Sequence, residues 1–241
     1  MPDLSPSDLA KDACARAAVQ LVESGMKLGL GTGSTAVFMV RHLAERVKAE
    51  QMDLVCAATS KATADLAQSL GIKVRSLDDL GWLDLTLDGA DEIDPDLNLI
   101  KGGGGAHLRE KIVAMASDRM VVIADQSKLV DRLGAFHLPV EVVPFGFEVT
   151  KKLIGQVLDE HELSQRPALL RQRDDKPFIT DEGNLILDLS LEEIHDPAAL
   201  SAALNALPGV VENGLFLGIA KSALIGRSDG EVVELLPEVI Q

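Results

Sequence analysis

The sequence predicts an α/β protein with an open, mostly parallel, Rossmann-like sheet that carries helices on both faces, together with a smaller α+β domain. Three observations favour this class. Short apolar runs alternate with segments of helical periodicity through the first half of the chain. Loops rich in glycine, hydroxyl or acidic residues follow three of those apolar runs directly. Near Leu133 the regular alternation stops, and short elements bracketed by prolines take its place.

In the first half, helix and strand follow each other in turn. The predicted helices have apolar residues three or four positions apart and cover residues 8–23, 34–49, 60–70 and 106–115. The predicted strands are short apolar runs at residues 26–31, 54–59, 73–77, 83–87 and 120–124. This order implies right-handed crossovers between parallel strands, so the loops that follow the strands should meet at one edge of the sheet, where ligands bind.

The second half has shorter elements and more turns. We expect a strand at 139–144, a helix at 147–160, a hairpin over 178–190 that turns at 181–184, and a helix at 198–206. Two last strands, at 222–226 and 231–235, turn at 228–230. We therefore expect one α/β domain formed by residues 1–132 and 207–241, which carries the glycine-rich loops, and a smaller α+β domain at residues 133–206.

Composition limits the classes of partner. The 241 residues are 46% hydrophobic, enough to bury a full core, and the net charge of −15 disfavours binding to nucleic acid. No apolar run approaches the ~20 residues of a membrane span. The N-terminus also lacks the basic and apolar regions of a signal peptide. We expect a cytoplasmic protein with small-molecule partners, no membrane partner, and reduced, buried thiols at Cys14 and Cys56.

The loop at residues 29–35, Gly-Leu-Gly-Thr-Gly-Ser-Thr, follows the first predicted strand. It is not a dinucleotide fingerprint, because Ser34 stands where the third glycine belongs, and it lacks the lysine of a P-loop. What remains is a glycine turn with Thr32, Ser34 and Thr35 at the start of a helix. The alternatives are a tight turn with an N-cap serine and a phosphate site. Three glycines with three hydroxyls favour the phosphate site.

The loop after the strand at 83–87 carries four acids, Asp88, Asp91, Glu92 and Asp94. It has three interpretations: a solvated turn, a divalent-cation site, or a pair of catalytic carboxylates at Asp88 and Asp91. The spacing excludes an EF-hand, and no histidine lies nearby in the sequence to support a metal site. We favour Asp88 and Asp91 as groups that transfer protons, without a metal.

A tract of four glycines, residues 102–105, lies between Lys101 and the predicted helix that carries Glu110. Glycines lack a Cβ, so their N–H groups can approach a ligand closely, and the positive end of a helix favours anionic oxygen. Neighbouring carboxylates would raise the pKa of Glu110 whereas Lys101 would lower it, and this balance suits a general base. The alternative for Glu110 is an exposed helix glutamate.

In these residues the sequence resembles the ribose-5-phosphate isomerases of type A. The resemblance spans nearly the whole chain and rests on five blocks in the same order: residues 29–36, 88–93, 101–105 with 109–111, 124–128 and 138–142. It implies an enzyme without a cofactor that interconverts D-ribose 5-phosphate and D-ribulose 5-phosphate, moving a proton between C1 and C2 through a cis-enediol. The family also implies a homodimer or homotetramer that binds a phosphosugar.

The resemblance implies roles for individual residues. Glu110 would be the base that moves the proton. Asp88 and Asp91 would open the furanose ring and orient hydroxyls, and Lys101 would stabilise the enediolate oxygen. The remaining substrate-binding residues would hold the phosphate or line the sugar site: Thr32, Gly33, Ser34, Thr35, Gly89, Ala90, Gly102, Gly103, Gly104, Lys128 and, on the first helix, Lys11.

His107 departs from the family pattern, in which a small or apolar residue is expected. On a helix it lies three residues before Glu110 on the same face, so it could tune the base, but a solvated or capping histidine is the simpler interpretation. Two rival functions are also open. A sugar-phosphate sensor would need a DNA-binding segment. A deaminase or acyltransferase of similar architecture would not explain Lys101, the glycines and Glu110 together.

Overall fold

The protein is described from a computed structural model, which covers residues 4–163 and 166–237. Outside the described residues lie 1–3, which belong to the segment tested for a signal peptide, the pair 164–165, and 238–241 at the end of the predicted α/β domain. Across the described ranges, none of the helices is long and apolar enough to cross a membrane.

Helices and strands alternate through the first half of the chain. In the described residues there are seven α-helices: α1 (Pro6–Val19), α2 (Ser34–Glu50), α3 (Lys61–Ser69), α4 (Leu77–Leu80), α5 (His107–Met115), α6 (Phe147–Glu160) and α7 (Pro197–Asn205). The same residues form fifteen β-strands: β1 (Lys27–Leu30), β2 (Val55–Ala58), β3 (Leu85–Asp88), β4 (Glu92–Ile93), β5 (Leu99–Ile100), β6 (Met120–Asp125), β7 (Leu138–Val142), β8 (Ala168–Leu170), β9 (Gln172–Arg173), β10 (Lys176–Pro177), β11 (Leu185–Leu189), β12 (Val210–Asn213), β13 (Leu215–Phe216), β14 (Ala220–Gly226) and β15 (Val232–Leu235).

Six strands form the main sheet, in the order β2–β1–β3–β6–β14–β15. Neighbouring strands are parallel except at the edge, where β15 pairs antiparallel with β14. The carboxyl ends of β1, β3 and β6 therefore open onto the same edge of the sheet, which is where ligands bind in folds of this class. The predicted open, mostly parallel sheet is confirmed.

Helices cover both faces of this sheet. Along β6, Val121 and Ile123 face a core formed with α1 and α2, whereas Val122 and Ala124 face the opposite core, which includes Ala114 of α5. This division follows from the period of two in a strand, whose successive side chains point to opposite faces. Cys14 and Cys56 are free and buried, as predicted, and burial raises the pKa of each thiol to about 12.

Smaller antiparallel sheets complete the fold. The largest has the order β12–β7–β11–β8, and α6 and α7 contribute to its apolar core, which includes Val140, Ile154, Leu187 and Leu200. A three-stranded sheet, β13–β5–β4, extends the acidic loop, and β9 and β10 form a short hairpin. These elements confirm the α+β character of the second half, while the exact domain boundaries stay a prediction.

The segment at residues 73–77 differs from the predicted strand. Val74 makes one isolated parallel bridge to Cys56, and Leu77 already begins α4. The reason is Ser76, whose side chain accepts a hydrogen bond from the backbone N–H of Asp79 and so starts a helix.

The predicted hairpin over 178–190 is also wrong. A turn does form, with Thr180 N donating to Asn184 O, but the strand that follows it, β11, pairs with β7 and β8 and not with the segment before the turn. β11 is mostly apolar and buried, so it pairs with the strands of a buried sheet. One of these partners, β7, is distant from β11 in the sequence.

The first helix also differs from its prediction, because it ends at Val19 and not at Glu23.

Candidate active site

A pocket of about 90 Å³ opens at the carboxyl edge of β1, β3 and β6. Most of the predicted site residues line it: Thr32, Gly33, Ser34, Thr35, Gly89, Ala90, Asp91, Lys101, Gly102, Gly103, Gly104, Glu110 and Lys128. Asp88 lies directly beneath these residues, in contact with Lys101. Lys11 does not line the pocket; it lies on α1 with its Nζ 3.8 Å from Asp8 Oδ1, so its contact with a substrate stays a prediction.

The centre of the site is a buried lysine between two buried carboxylates. Lys101 Nζ lies 3.1 Å from Asp88 Oδ2 and 3.2 Å from Glu110 Oε1, and it also donates to Gly89 O. All three side chains are almost fully buried: Asp88 is 0%, Lys101 2% and Glu110 4% exposed. Among the described residues, Glu110 Oε2 has no hydrogen-bond partner. The exposed helix glutamate is thereby excluded, and a carboxylate oxygen is available for chemistry.

Burial controls the protonation of these groups. It raises the pKa of Glu110 to about 8; Lys101 opposes this shift, and the negative charge of Asp88 adds to it. Burial likewise raises the pKa of Asp88 against the effect of Lys101. Although burial lowers the pKa of Lys101, the two carboxylates outweigh it and raise that pKa. One protonated lysine therefore lies between two buried carboxylates. Its single positive charge cannot balance both negative charges, so the carboxylate pair holds one proton near neutral pH.

The backbone of two loops holds Asp88 in place. Its Oδ1 accepts hydrogen bonds from Thr32 N at 3.0 Å and from Gly89 N at 2.7 Å. Gly31 lies so close that a Cβ at its position would be 2.1 Å from Asp88 Oδ1. A glycine is therefore required at residue 31 for the loop at residues 29–35 to lie against this carboxylate.

The other three acids of the loop point in different directions. Asp91 Oδ2 accepts from Gly103 N at 2.7 Å at the pocket wall. Glu92 is buried and accepts from the backbone of Gly134 and Phe136. Asp94 closes its own turn by accepting from Asn98 N and other donors of the same loop. Of the four acids, Asp91 lines the pocket and Asp88 contacts Lys101 beneath it, while the catalytic role of both stays a prediction.

The amino end of α2 forms part of the pocket wall. Among the described residues no side chain caps this helix, and Gly33 before it has a φ of 120°. Ser34 and Thr35 begin the helix, where the first N–H groups have no intrahelical partner and attract an anion. Lys128, the last residue of the 3₁₀ turn Gln126–Lys128, also lines the pocket. This wall has the charge and donors that a phosphate requires.

Thr32 has a different role from the neighbouring hydroxyl residues. Thr63 Oγ1 donates to Gly31 O, Ser60 Oγ donates to Thr63 Oγ1, and Thr32 Oγ1 donates to Ser60 Oγ. Each hydroxyl has one proton, so within the described residues the proton of Thr32 is used in this chain, and its N–H is used by Asp88. Sequence reasoning missed Ser60 and Thr63, although their position after β2 at the same sheet edge was a usable signal.

His107 is fully buried and not solvated, which corrects the simpler of its two interpretations. Its side chain lies against Gly102, where an added Cβ would be 2.8 Å from the Cβ of His107 and 2.9 Å from Nδ1, and its Nε2 is 3.8 Å from Glu141 Oε2. Burial, together with the positive charges of Lys111 and Arg171, lowers its pKa to about 3. His107 is therefore neutral at physiological pH and packs the base of the glycine tract.

A larger cavity of about 640 Å³ also borders α5. Its lining is mainly apolar, with Leu108, Ile112 and Val113 on one side and exposed cations such as Arg75 on another. The three buried ionisable groups with strongly coupled charges, by contrast, all lie at the smaller pocket. Buried charges with shifted pKa values are the better indicator of catalysis.

Comparison with known proteins agrees with this geometry. Residues 55–230 match the family model described as ribose 5-phosphate isomerase A (phosphoriboisomerase A). The ribose-5-phosphate isomerase A of Dinoroseobacter shibae is 59% identical over 230 residues, which is 95% of this chain and 88% of that protein. The structure of ribose 5-phosphate isomerase A from Methanocaldococcus jannaschii superposes with a TM-score of 0.87 at 39% identity, covering 95% of this chain and 98% of that chain. A D-ribose-5-phosphate isomerase in complex with phospho-erythronic acid has a TM-score of 0.87 at 37% identity and covers 95% and 99% of the two chains.

Proposed function

Because the chain belongs to the ribose 5-phosphate isomerase A family, we infer that it interconverts D-ribose 5-phosphate and D-ribulose 5-phosphate, a step of the non-oxidative pentose phosphate pathway. Family membership sets aside the sensor and the deaminase or acyltransferase as rivals. The observation that best explains the chemistry is the buried Asp88–Lys101–Glu110 group at the bottom of a pocket suited to phosphate.

Glu110 is proposed as the base that moves a proton between C1 and C2. Its Oε2 faces no hydrogen-bond partner among the described residues, and its raised pKa allows the same carboxyl to accept a proton and return it. A base whose pKa lies near the operating pH is the most effective for such a transfer. The bound aldose loses its C2 proton to Glu110, a proton passes from O2 to O1 in the cis-enediolate, and Glu110 returns its proton to C1 to give the ketose.

Lys101 is proposed to stabilise the enediolate oxygen. Two carboxylates keep it protonated, so it presents a fixed positive charge in a site almost closed to water. A preorganised charge of this kind is worth several kcal/mol in the transition state, because no solvent has to reorganise. Lys101 thus supplies the charge that a metal ion provides in other isomerisations.

Asp88 and Asp91 are proposed to open the furanose ring and to orient the hydroxyl groups. Ring opening needs a group that removes the proton of the anomeric hydroxyl and another that protonates the ring oxygen. Asp88 shares the buried proton with Glu110 across Lys101, while Asp91 lies at the pocket wall and is held by Gly103 N. Asp91 lines the pocket and Asp88 lies buried against Lys101, and these different positions support a division of the two tasks.

The phosphate group is proposed to bind the first turn of α2, with Ser34, Thr35 and Lys128 as its side-chain partners. Gly33 contributes backbone that no side chain obstructs, since nothing lies within 4 Å of a Cβ placed there. Thr32 would hold Asp88, and with it the loop, through its backbone N–H. Lys11 would reach the phosphate end of the sugar from α1.

Further properties belong to the same proposal. We propose that the enzyme works in the cytoplasm without cofactor or metal, as a homodimer or homotetramer. We also propose that residues 1–132 and 207–241 form the catalytic domain, with residues 133–206 as the smaller domain. The pairing of β14 with β6, and of β15 with β14, supports the return of the last segment to the first domain.

The test is an assay of the purified, chelator-treated protein with ribose 5-phosphate as substrate and ribulose 5-phosphate as the measured product. Turnover in both directions is expected, and glucose 6-phosphate should be tried in parallel to measure selectivity for five-carbon sugars. Glu110→Gln serves as the inactive reference. Binding of ribose 5-phosphate without any turnover by the wild-type chain would contradict the proposal.

A further inference from the structure

Arg171 reaches from the segment between β8 and β9 to the glycine tract of the active site. Its Nη1 donates to Gly102 O at 2.7 Å and to Gly103 O at 3.2 Å. The other side of the guanidinium forms a two-pronged pair with the carboxylate of Asp188 on β11, with Nε 2.8 Å from Oδ2. The side chain is only 13% exposed, so the arginine is held firmly at both ends.

These contacts set the direction of two peptide groups. In a trans peptide the carbonyl of one residue and the N–H of the next point in opposite directions, and no peptide bond among the described residues is cis. With Gly102 O turned toward Arg171, the N–H of Gly103 points away from it, and it donates to Asp91 Oδ2 at 2.7 Å. With Gly103 O also turned toward Arg171, the N–H of Gly104 is directed away from the arginine, and Gly104 lines the pocket.

A tract of glycines needs such a support. Gly102 and Gly105 have φ values of 105° and 82°, and glycine loses more conformational freedom on ordering than any other residue. Within the tract, the bond from Gly105 N to Gly102 O at 2.9 Å closes the turn. The fork of an arginine contacts two carbonyls and a carboxylate at once, which the single ammonium group of a lysine cannot reproduce.

We propose that Arg171 is a positioning residue for the isomerisation: it orients the peptide groups of Gly102 and Gly103 so that the N–H groups face Asp91 and the enediolate end of the substrate. This inference rests on the proposed function, since it assigns those N–H groups to the sugar end of the pocket and not to the phosphate end. Arg171 touches the loop and not the substrate.

The experiment compares Arg171→Met and Arg171→Lys with a matched control, Arg132→Met. Arg132 is 63% exposed and pairs with Glu193 at the surface. For each variant we would measure kcat, KM, the Kd of phospho-erythronic acid and the Kd of inorganic phosphate, all well below the unfolding temperature. Phospho-erythronic acid has a carboxylate where the enediolate forms, whereas inorganic phosphate reports on the α2 end alone.

Arg171→Met should lower kcat by about 10²-fold, the scale expected when groups at the reacting centre are misplaced by an ångström. The Kd of phospho-erythronic acid should rise while the Kd of inorganic phosphate stays unchanged. Arg171→Lys should fold and recover only part of kcat, and Arg132→Met should match the wild type. If Arg171→Met proves insoluble, Arg171→Lys decides the question with the same four measurements.

Two results would overturn the inference. One is a lower unfolding temperature with unchanged kcat and unchanged Kd for phospho-erythronic acid, which would make Arg171 a purely structural residue. The other is an equal rise in both Kd values, which would place its effect at the phosphate end. Absence of isomerase activity in the wild type would contradict the proposed function instead, and the ratio of the two Kd values would still test the role of Arg171.

Discussion

Replacing Glu110 by glutamine tests the proposed base with little change of shape. The amide oxygen of glutamine can keep the contact that Glu110 Oε1 makes with Lys101 Nζ at 3.2 Å. What is lost is the group that accepts the C2 proton. General bases contribute about 10²–10⁴-fold to rate, so we expect kcat to fall about 10³-fold. Binding of phospho-erythronic acid should be unchanged at pH 7, where Glu110 is mostly protonated, and tighter above about pH 8, where the substitution removes a negative charge beside an anionic ligand.

The pH dependence of the wild type provides a second measure of the same group. With the pKa of Glu110 raised to about 8, only about a tenth of the free enzyme carries the ionised base at pH 7. The logarithm of kcat/KM should therefore rise by about one per pH unit below pH 8 and level off above it. A profile that is flat between pH 6 and about 8 would show that the titrating base is not this buried carboxyl.

Stability should depend on pH with a defined sign. Between the ordinary pKa of 4.5 and the raised value of about 8, the folded protein holds a proton on Glu110 that the unfolded chain releases. The contribution of this group to stability is thus present at low pH and is lost as the pH rises through that interval. In Glu110→Gln this decline should be smaller, and what remains comes from Asp88, whose pKa burial also raises.

The assay for Glu110→Gln follows ribulose 5-phosphate formation over a pH series, alongside urea unfolding at each pH. Glu182→Gln is the matched control, since Glu182 pairs with Arg109 at the surface beside the same helix. Glu182→Gln should keep the wild-type kcat and the wild-type pH profile. Turnover in Glu110→Gln within tenfold of the wild type would refute the assignment of the base.

Three further predictions concern the loops around the site. Ser34→Ala should raise KM about tenfold with little change in kcat, because phosphate is bound alike in the ground and transition states; a fall in kcat alone would argue against a phosphate anchor. EDTA should leave turnover intact while Asp91→Asn lowers kcat by about 10²-fold, since an amide cannot accept a proton; a bound divalent ion whose removal abolishes activity would contradict this. Gly31→Ala should destabilise the protein by about 1–3 kcal/mol in urea unfolding and lower kcat, because its Cβ would lie 2.1 Å from Asp88 Oδ1, whereas Gly155→Ala in α6, with nothing within 4 Å, should stabilise it by about 0.5–1 kcal/mol.

Local signals were sufficient for the longer helices in both halves of the chain. α2 begins at Ser34, directly after the glycine turn, and α6 begins at Phe147 and ends at Glu160, as periodicity and turn residues predicted. The fold class followed from the alternation of these elements, because right-handed crossovers between parallel strands leave few other arrangements. The loops after β1, β3 and β6 followed from the same reasoning, since each comes directly after a strand of the parallel sheet, whereas the glycine tract follows β5 of the small antiparallel sheet and was indicated by its composition.

Short strands and their partners could not be read in this way. β4, β5 and β13 have two residues each, and β11 pairs with β7 and β8 rather than with the preceding segment. A run of two residues carries no periodicity, and the choice of partner depends on which buried edge is open once the rest of the chain has folded.

The properties of the site depended most on tertiary contacts. Sequence motifs indicated Glu110 and Lys101 as residue types at a helix and a loop, but burial sets the pKa of the base, and burial depends on every element packed around it. The sequence favoured a solvated or capping histidine at residue 107, whereas the folded chain buries His107 beside Glu141. Arg171 lies 69 residues from Gly102 in the chain, so no local pattern connects them. Propensity and turn chemistry act over a few residues, whereas solvation and electrostatics act through space, and only the folded chain decides which distant groups meet.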